Sequence, residues 1–185
     1  MKFIKFFIVI FISLITPIKA DLYKNLINQL KDGEKLIFIR HAYAPGNGDP
    51  AGFNLNDCST QRNLSEDGKK QAQRIGEFFN KNKIEIDKVL SSEWCRCKET
   101  AKIAFKNYST NSFLNSFYSS KFSKNKDKQV KAFNHYIKNL ESKKNLILVT
   151  HYVFISEVLN YGSSSGEIVV SDKNFNIIGN IEIDF

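Results

Sequence analysis

Cysteine, proline and glycine are all scarce, with 3 Cys, 3 Pro and 9 Gly in 185 residues. Three cysteines are too few to build a disulfide scaffold. So little Pro and Gly excludes collagen-like and low-complexity chains. There is no uncharged apolar run of about 20 residues, the length a membrane-crossing helix requires. What remains is an ordinary globular balance, 42% hydrophobic and 25% charged, with 16 Phe available for a core. The length suits one domain.

The first twenty residues read differently from the rest. Lys2 and Lys5 give a basic start, and residues 6–16 form an uncharged apolar run. Pro17 breaks the helix, and Ile18-Lys19-Ala20 ends in a small residue suited to signal peptidase. The pattern predicts a signal peptide over 1–20, cleaved after Ala20, and one domain over 21–185. An uncleaved anchor is the alternative. Cleavage implies a periplasmic or secreted protein with no stable membrane insertion. Losing Lys2, Lys5 and Lys19, with no acid beside them, lowers the formal charge from +8 to +5. Part of that excess sits in the lysine-rich run 121–131, which reads as a solvated surface and not a nucleic-acid site. The charge supports a preference for anionic substrates or surfaces.

An oxidising compartment favours one disulfide among Cys58, Cys95 and Cys97, with Cys58–Cys95 or Cys58–Cys97 as the pairing. Cys95-Arg-Cys97 lacks the spacing and the second pair of a zinc site.

Periodicity outlines alternating elements. Leu22, Leu26 and Leu30 mark a short amphipathic helix over 21–31, and residues 35–40 form a buried strand. A polar loop spans 41–64. Ser65 caps a helix ending near 80–82, with Ala72, Ile75, Phe78 and Phe79 on its buried face. A strand over 86–90 and a helix over 93–106 follow. The stretch 107–126, rich in Ser, Asn, Lys and Phe, shows no period. Val130, Phe133, Ile137 and Leu140 restore helical spacing. Then come a buried strand over 145–150, a helix over 152–161, and strands over 166–171 and 177–185. The order predicts a three-layer α/β fold. Its sheet is mainly parallel, with helices on both faces and an antiparallel C-terminal edge.

His41 and His151, two of the three histidines, each directly follow an apolar strand, at the edge where open α/β sheets bind ligands. His135 lies in a helix and reads as surface or core. Arg40 adjoins His41, and Arg96 follows another strand end. Two arginines and two histidines at neighbouring strand ends make a small cationic pocket. Arginine's planar fork suits phosphoryl oxygens. A metal site would need a third ligand beside repelling arginines. No Gly-x-Ser-x-Gly is present for a serine nucleophile.

These residues resemble a family. Leu36-Ile-Phe-Ile-Arg-His-Ala42 is similar to the Arg-His-Gly signature of the histidine phosphatase (phosphoglycerate mutase-like) superfamily, with Ala42 in the glycine place. Gln61-Arg-Asn-Leu-Ser-Glu-Asp-Gly-Lys-Lys-Gln-Ala72 is similar to its Leu-Ser/Thr-x-x-Gly-x-x-Gln-Ala helix start. Ser91-Ser-Glu-Trp-Cys-Arg-Cys-Lys-Glu-Thr-Ala101 resembles its Ser-Ser-x-x-x-Arg-x-x-x-Thr-Ala segment, and Val149-Thr-His151 takes the place of its second histidine.

The resemblance implies a metal-independent phosphatase that hydrolyses phosphate monoesters without a cofactor, and the signal-peptide pattern makes it a secreted one. His41 would be the nucleophile that forms a phosphohistidine. Arg40, Arg96 and His151 would hold the phosphoryl oxygens, with Asn47, six residues after His41, assisting. Many members carry a glutamate after the third strand that protonates the leaving group. The corresponding stretch 107–126 holds no Asp or Glu, which leaves Asp49, Asp57, Glu93 and Glu157 as candidates. Two other readings follow from that gap and from the paired histidines: a catalytically weak phosphate-binding module on the same fold, and an envelope metal-binding or interaction protein. The partner expected is a small phosphorylated substrate or envelope phosphate, not nucleic acid.

Overall fold

The computed structural model describes residues 21–184, so the signal-peptide reading of residues 1–20 lies outside the described residues. Its centre is the pair of strongest apolar runs in the chain. Strand β1 (Leu36–Arg40) and strand β4 (Asn145–Thr150) lie side by side and parallel, pairing Ile37 with Ile147 and Arg40 with Thr150. Strands β2 (Ile86–Ser91), β3 (Ser109–Thr110), β5 (Ile168–Ser171) and β6 (Ile177–Ile181) complete a six-stranded sheet of order β3-β2-β4-β1-β5-β6. The β1–β4, β4–β2 and β2–β3 pairs are parallel, while β5 runs antiparallel to both β1 and β6. The expected three-layer arrangement with an antiparallel C-terminal edge is therefore the one observed.

Alternate residues of each strand face opposite layers, because side chains along a strand have a period of two. Ile37, Ile39, Ile147 and Val149 point to a core shared with three helices, α1 (residues 21–32), α2 (Glu66–Asn82) and α3 (Cys95–Phe105). Leu36, Phe38, Leu146 and Leu148 point to the other core. There they meet Phe133 and Ile137 of α5 (Lys126–Lys138) and Phe154 and Ile155 of α6 (Tyr152–Leu159). A one-turn helix, α4 (Ser120–Ser123), precedes α5. No described helix is long and apolar enough to cross a membrane.

The start of α2 is as its sequence dictates. Ser65 Oγ accepts from the Gly68 amide at 3.1 Å, and Glu66 and Asp67 occupy the first turn, where the helix dipole favours anions. Gly68 has a second reason to be glycine. A Cβ there would stand 2.0 Å from the Tyr43 carbonyl oxygen, so only a glycine lets α2 pack this closely on the chain leaving β1.

Several boundaries differ from the sequence expectation. Leu22 is 64% exposed, so the apolar stripe of α1 is carried by Leu26, Ile27 and Leu30 instead. The aperiodic stretch 107–126 contains β3, a 3-10 turn over Ser112–Leu114 and α4. All are too short to show a period, yet Phe113, Leu114 and Phe117 are buried. The final strand ends at Ile181, and Phe185 lies outside the described residues.

Candidate active site

Three parallel strands end together. The His41 amide donates to the Thr150 carbonyl at 2.9 Å, and the Ser92 amide donates to the Val149 carbonyl at 2.9 Å. The residues just past β1, β2 and β4 are thereby fixed at one edge. Around them is a cavity of about 170 Å³, lined by Arg40, His41, Asn47, Asp49, Arg62, Arg96 and His151 among others.

His41 is 2% exposed, and its Nδ1 lies 2.8 Å from the Ala42 carbonyl. A carbonyl only accepts, so Nδ1 carries the proton and Nε2 keeps the lone pair. Burial, and next the Arg96 guanidinium, hold the His41 pKa well below the ordinary imidazole value. A neutral imidazole with a free lone pair is the form that can attack. His151 is also buried and neutral, for the same causes with His41 added, and its ring centroid is 5.6 Å from that of His41.

The family-like residues each have a structural task. Thr100 Oγ1 accepts from the Ala42 amide at 3.0 Å and donates to the Arg96 carbonyl at 2.7 Å, coupling the nucleophile's segment to α3. Gln71 Oε1 accepts from the Tyr43 amide at 2.9 Å, and its Nε2 donates to the Ser165 carbonyl at 2.9 Å. The Ala42 methyl is accommodated in a small buried cluster with Ala44, Leu64 and Ala72.

Arg40 donates from Nη1 to the Ser163 carbonyl at 2.7 Å and lies over the Tyr152 ring at 5.5 Å. Arg96, 3% exposed, donates from Nη1 to Asp49 Oδ1 at 2.5 Å, and its Nη2 faces His151 Nδ1 at 3.4 Å. The Nε groups of both arginines are buried and find no partner among the described residues. Arg62 is a cation of the cavity to which the sequence reading gave no role. It donates from Nε to the Gly48 carbonyl at 2.7 Å and from Nη1 to the Ala44 carbonyl, which fastens the loop after β1. In the sequence it stands three residues before the helix cap Ser65, with no local pattern to mark it as part of the site.

Of the expected acids, only Asp49 lines this cavity. Asp57 is exposed and caps the short turn Cys58–Thr60. Glu93 accepts from Asn115 Nδ2 at 2.5 Å, and Glu157 pairs with Lys126 at 3.1 Å. Asn47 sits on the cavity rim between Gly46 and Gly48, both with positive φ, while His135 is exposed on α5. Of the two pairings expected, the structure has Cys58–Cys95. Cys97 is free and buried, and burial pushes its thiol pKa up to about 12. Among the described residues no three His, Cys, Asp or Glu are grouped to hold a metal ion.

Residues 36–113 match the model of the histidine phosphatase superfamily (branch 1). No curated protein sequence matches the chain. Among solved structures, the protein histidine phosphatase SixA complexed with tungstate is similar at TM-score 0.58 and 15% identity, over 81% of this chain and 96% of that one. A phosphoglycerate mutase from Thermus thermophilus aligns at TM-score 0.56 and 16% identity, over 81% and 99%. A mycobacterial glucosyl-3-phosphoglycerate phosphatase in complex with VO3 aligns at 0.55 and 13%, over 74% and 92%. At such identities the likeness is one of fold.

Proposed function

For a chain with the fold and the signature segment of the histidine phosphatase superfamily, we propose a secreted, metal-independent phosphatase that hydrolyses phosphate monoesters through a phosphohistidine on His41. One observation carries this reading. The buried Nε donors of Arg40 and Arg96 have no partner among the described residues, and both side chains line the cavity that holds the neutral His41. A buried donor left unmade costs about 1–3 kcal/mol, and more when charged. An anion with several acceptor oxygens would remove that cost.

Each group then has a role. His41 Nε2 attacks phosphorus. Arg40 and Arg96 hold the equatorial oxygens and stabilise the charge spread over them in transit. Arg62 adds a third cation and fixes the loop that carries Asn47. His151 closes the wall and braces Arg96 through Nδ1. All of this chemistry is supplied by side chains of the protein.

Secretion rests on the anatomy of residues 1–20 and is supported by the Cys58–Cys95 bridge, a feature of oxidising compartments. The substrates would be small phosphate esters or envelope phosphates. The test is turnover of p-nitrophenyl phosphate by the processed protein with chelator present, wild type beside His41→Ala. Activity confined to the wild type supports the phosphohistidine route, and equal activity in the variant overturns it. The second reading, a phosphate-binding module with little catalysis, draws on the lack of any carboxylate in 107–126. Turnover of several esters eliminates it.

A further inference from the structure

We propose that Asp49, delivered from the loop after β1, is the proton donor to the leaving group, taking the part of the glutamate that the 107–126 stretch lacks. This rests on the phosphatase reading and adds a residue to it.

Among the described residues, Asp49 is the only carboxylate lining the catalytic cavity. It is held on several sides. Oδ1 accepts from Arg96 Nη1 at 2.5 Å, and Oδ2 accepts from the Trp94 indole Nε1 at 2.9 Å and from Arg96 Nη2 at 3.4 Å. Pro50 follows directly and restricts the Asp49 backbone to extended conformations. Arg62 ties down the Gly48 carbonyl just before it. Such a carboxylate is preorganised, as proton transfer in a transition state requires.

Its depth fits the role. His41 is 2% exposed and Arg96 3%, while the Asp49 side chain is 16% exposed. The nucleophile and the oxygen-holding guanidinium are thus more deeply buried than Asp49, the order expected if the leaving group meets Asp49 on its way out. The leaving group, still attached to the remainder of the substrate, must extend toward the mouth. The Arg96 Nε makes no hydrogen bond among the described residues while Nη1 keeps Asp49 in place.

The step balances. A phosphate monoester monoanion brings one proton on a non-bridging oxygen, and that proton passes to Asp49. His41 Nε2 forms a bond to phosphorus as the ester P–O bond breaks, and the leaving oxygen takes the proton from Asp49. Water then attacks phosphorus as the P–N bond breaks, the water's proton passes to the Asp49 carboxylate, and Asp49 hands it to an oxygen of the departing phosphate, which leaves His41 neutral and Asp49 ionised as at the start.

The experiment compares wild type, Asp49→Asn and Asp49→Glu on 2,4-dinitrophenyl phosphate, p-nitrophenyl phosphate and glycerol 2-phosphate. The readout is kcat/KM, which covers the steps up to the phosphohistidine. An acid helps poor leaving groups most, so the wild type should depend only weakly on leaving-group basicity. Asp49→Asn should lose about 10²–10³-fold on the alkyl ester and less than about 10-fold on the dinitrophenyl ester. Asp49→Glu should keep the shallow wild-type dependence. Equal losses on all three esters would make Asp49 a positioning residue for Arg96 and overturn the proposal. A wild type that already depends steeply on leaving-group basicity also overturns it, and that measurement needs no folded variant. A wild type inactive on every ester would instead overturn the phosphatase reading itself.

Discussion

Ser92 Oγ and His151 Nε2 stand 2.8 Å apart, and this contact tethers the second histidine. A guanidinium only donates, so the Arg96 Nη2 facing Nδ1 makes Nδ1 the acceptor and leaves the proton on Nε2. Ser92 receives that proton's hydrogen bond and passes its own hydroxyl to Asn115 Oδ1 at 3.1 Å. Ser92→Ala removes the tether. We expect kcat/KM on p-nitrophenyl phosphate to fall roughly 10-fold, because a mobile ring no longer braces Arg96. An unchanged kcat/KM would mean that packing alone orients His151.

Arg96 contributes more directly. Arg96→Ala should cost roughly 3 kcal/mol in kcat/KM, as for loss of one preorganised donor, which is about a 10²-fold drop. Steady-state kinetics on the same ester measures it. A change only in KM would assign Arg96 to ground-state binding.

The buried histidines make stability depend on pH. Both folded pKa values lie well below the ordinary one, whereas in the unfolded chain each ring titrates near about 6.5. Between those values the unfolded state binds more protons, so acid favours it. Stability should be full above about pH 7 and should fall below about pH 6.5, by up to about 1.4 kcal/mol per pH unit for each ring. Urea unfolding between pH 7.5 and 5.5 reads this slope, and His41→Gln should reduce it. A flat profile would contradict the buried neutral state.

The Cys58–Cys95 bridge joins the loop after β1 to the first residue of α3, across 37 positions. The chain-entropy model gives a loop of that size about 3–4 kcal/mol of stabilisation. Cys58→Ser should therefore lower the thermal midpoint by several degrees. It should also lower activity, since Arg96 directly follows Cys95. Cys97 is buried and does not substitute as a partner. An unchanged midpoint would show that the loop is already ordered in the unfolded chain or held by other contacts.

Gly68→Ala sets two effects against each other. Alanine gains about 1 kcal/mol of helix propensity, but its Cβ would meet the Tyr43 carbonyl oxygen at 2.0 Å. Forced overpacking costs about 1–3 kcal/mol. The contact is with backbone, which cannot swing aside, so we expect net destabilisation and reduced turnover because Tyr43 is two residues from His41. A higher urea midpoint in the variant would refute this.

Local chemistry was legible in the sequence wherever it is written in neighbouring residues. The runs at 36–40 and 145–150 dictated buried parallel strands, Ser65 dictated the start of α2, and His41 and His151 fell at strand ends because each follows an apolar run. The alternation of strands and helices carried the fold. Contacts distant in sequence were decided only by tertiary structure. Asp49 reaches Arg96 across 47 positions, which no periodicity records, and it was one of four equal candidates until packing brought the two together. Arg62 entered the site through hydrogen bonds to loop carbonyls that have no sequence pattern. The choice of Cys95 over Cys97 depended on which side of one helical turn faces the loop. His151, which the resemblance placed on phosphoryl oxygens, has its two ring nitrogens facing Ser92 and Arg96. Short-range spacing fixes which groups are available, and only the packed chain fixes which of them meet.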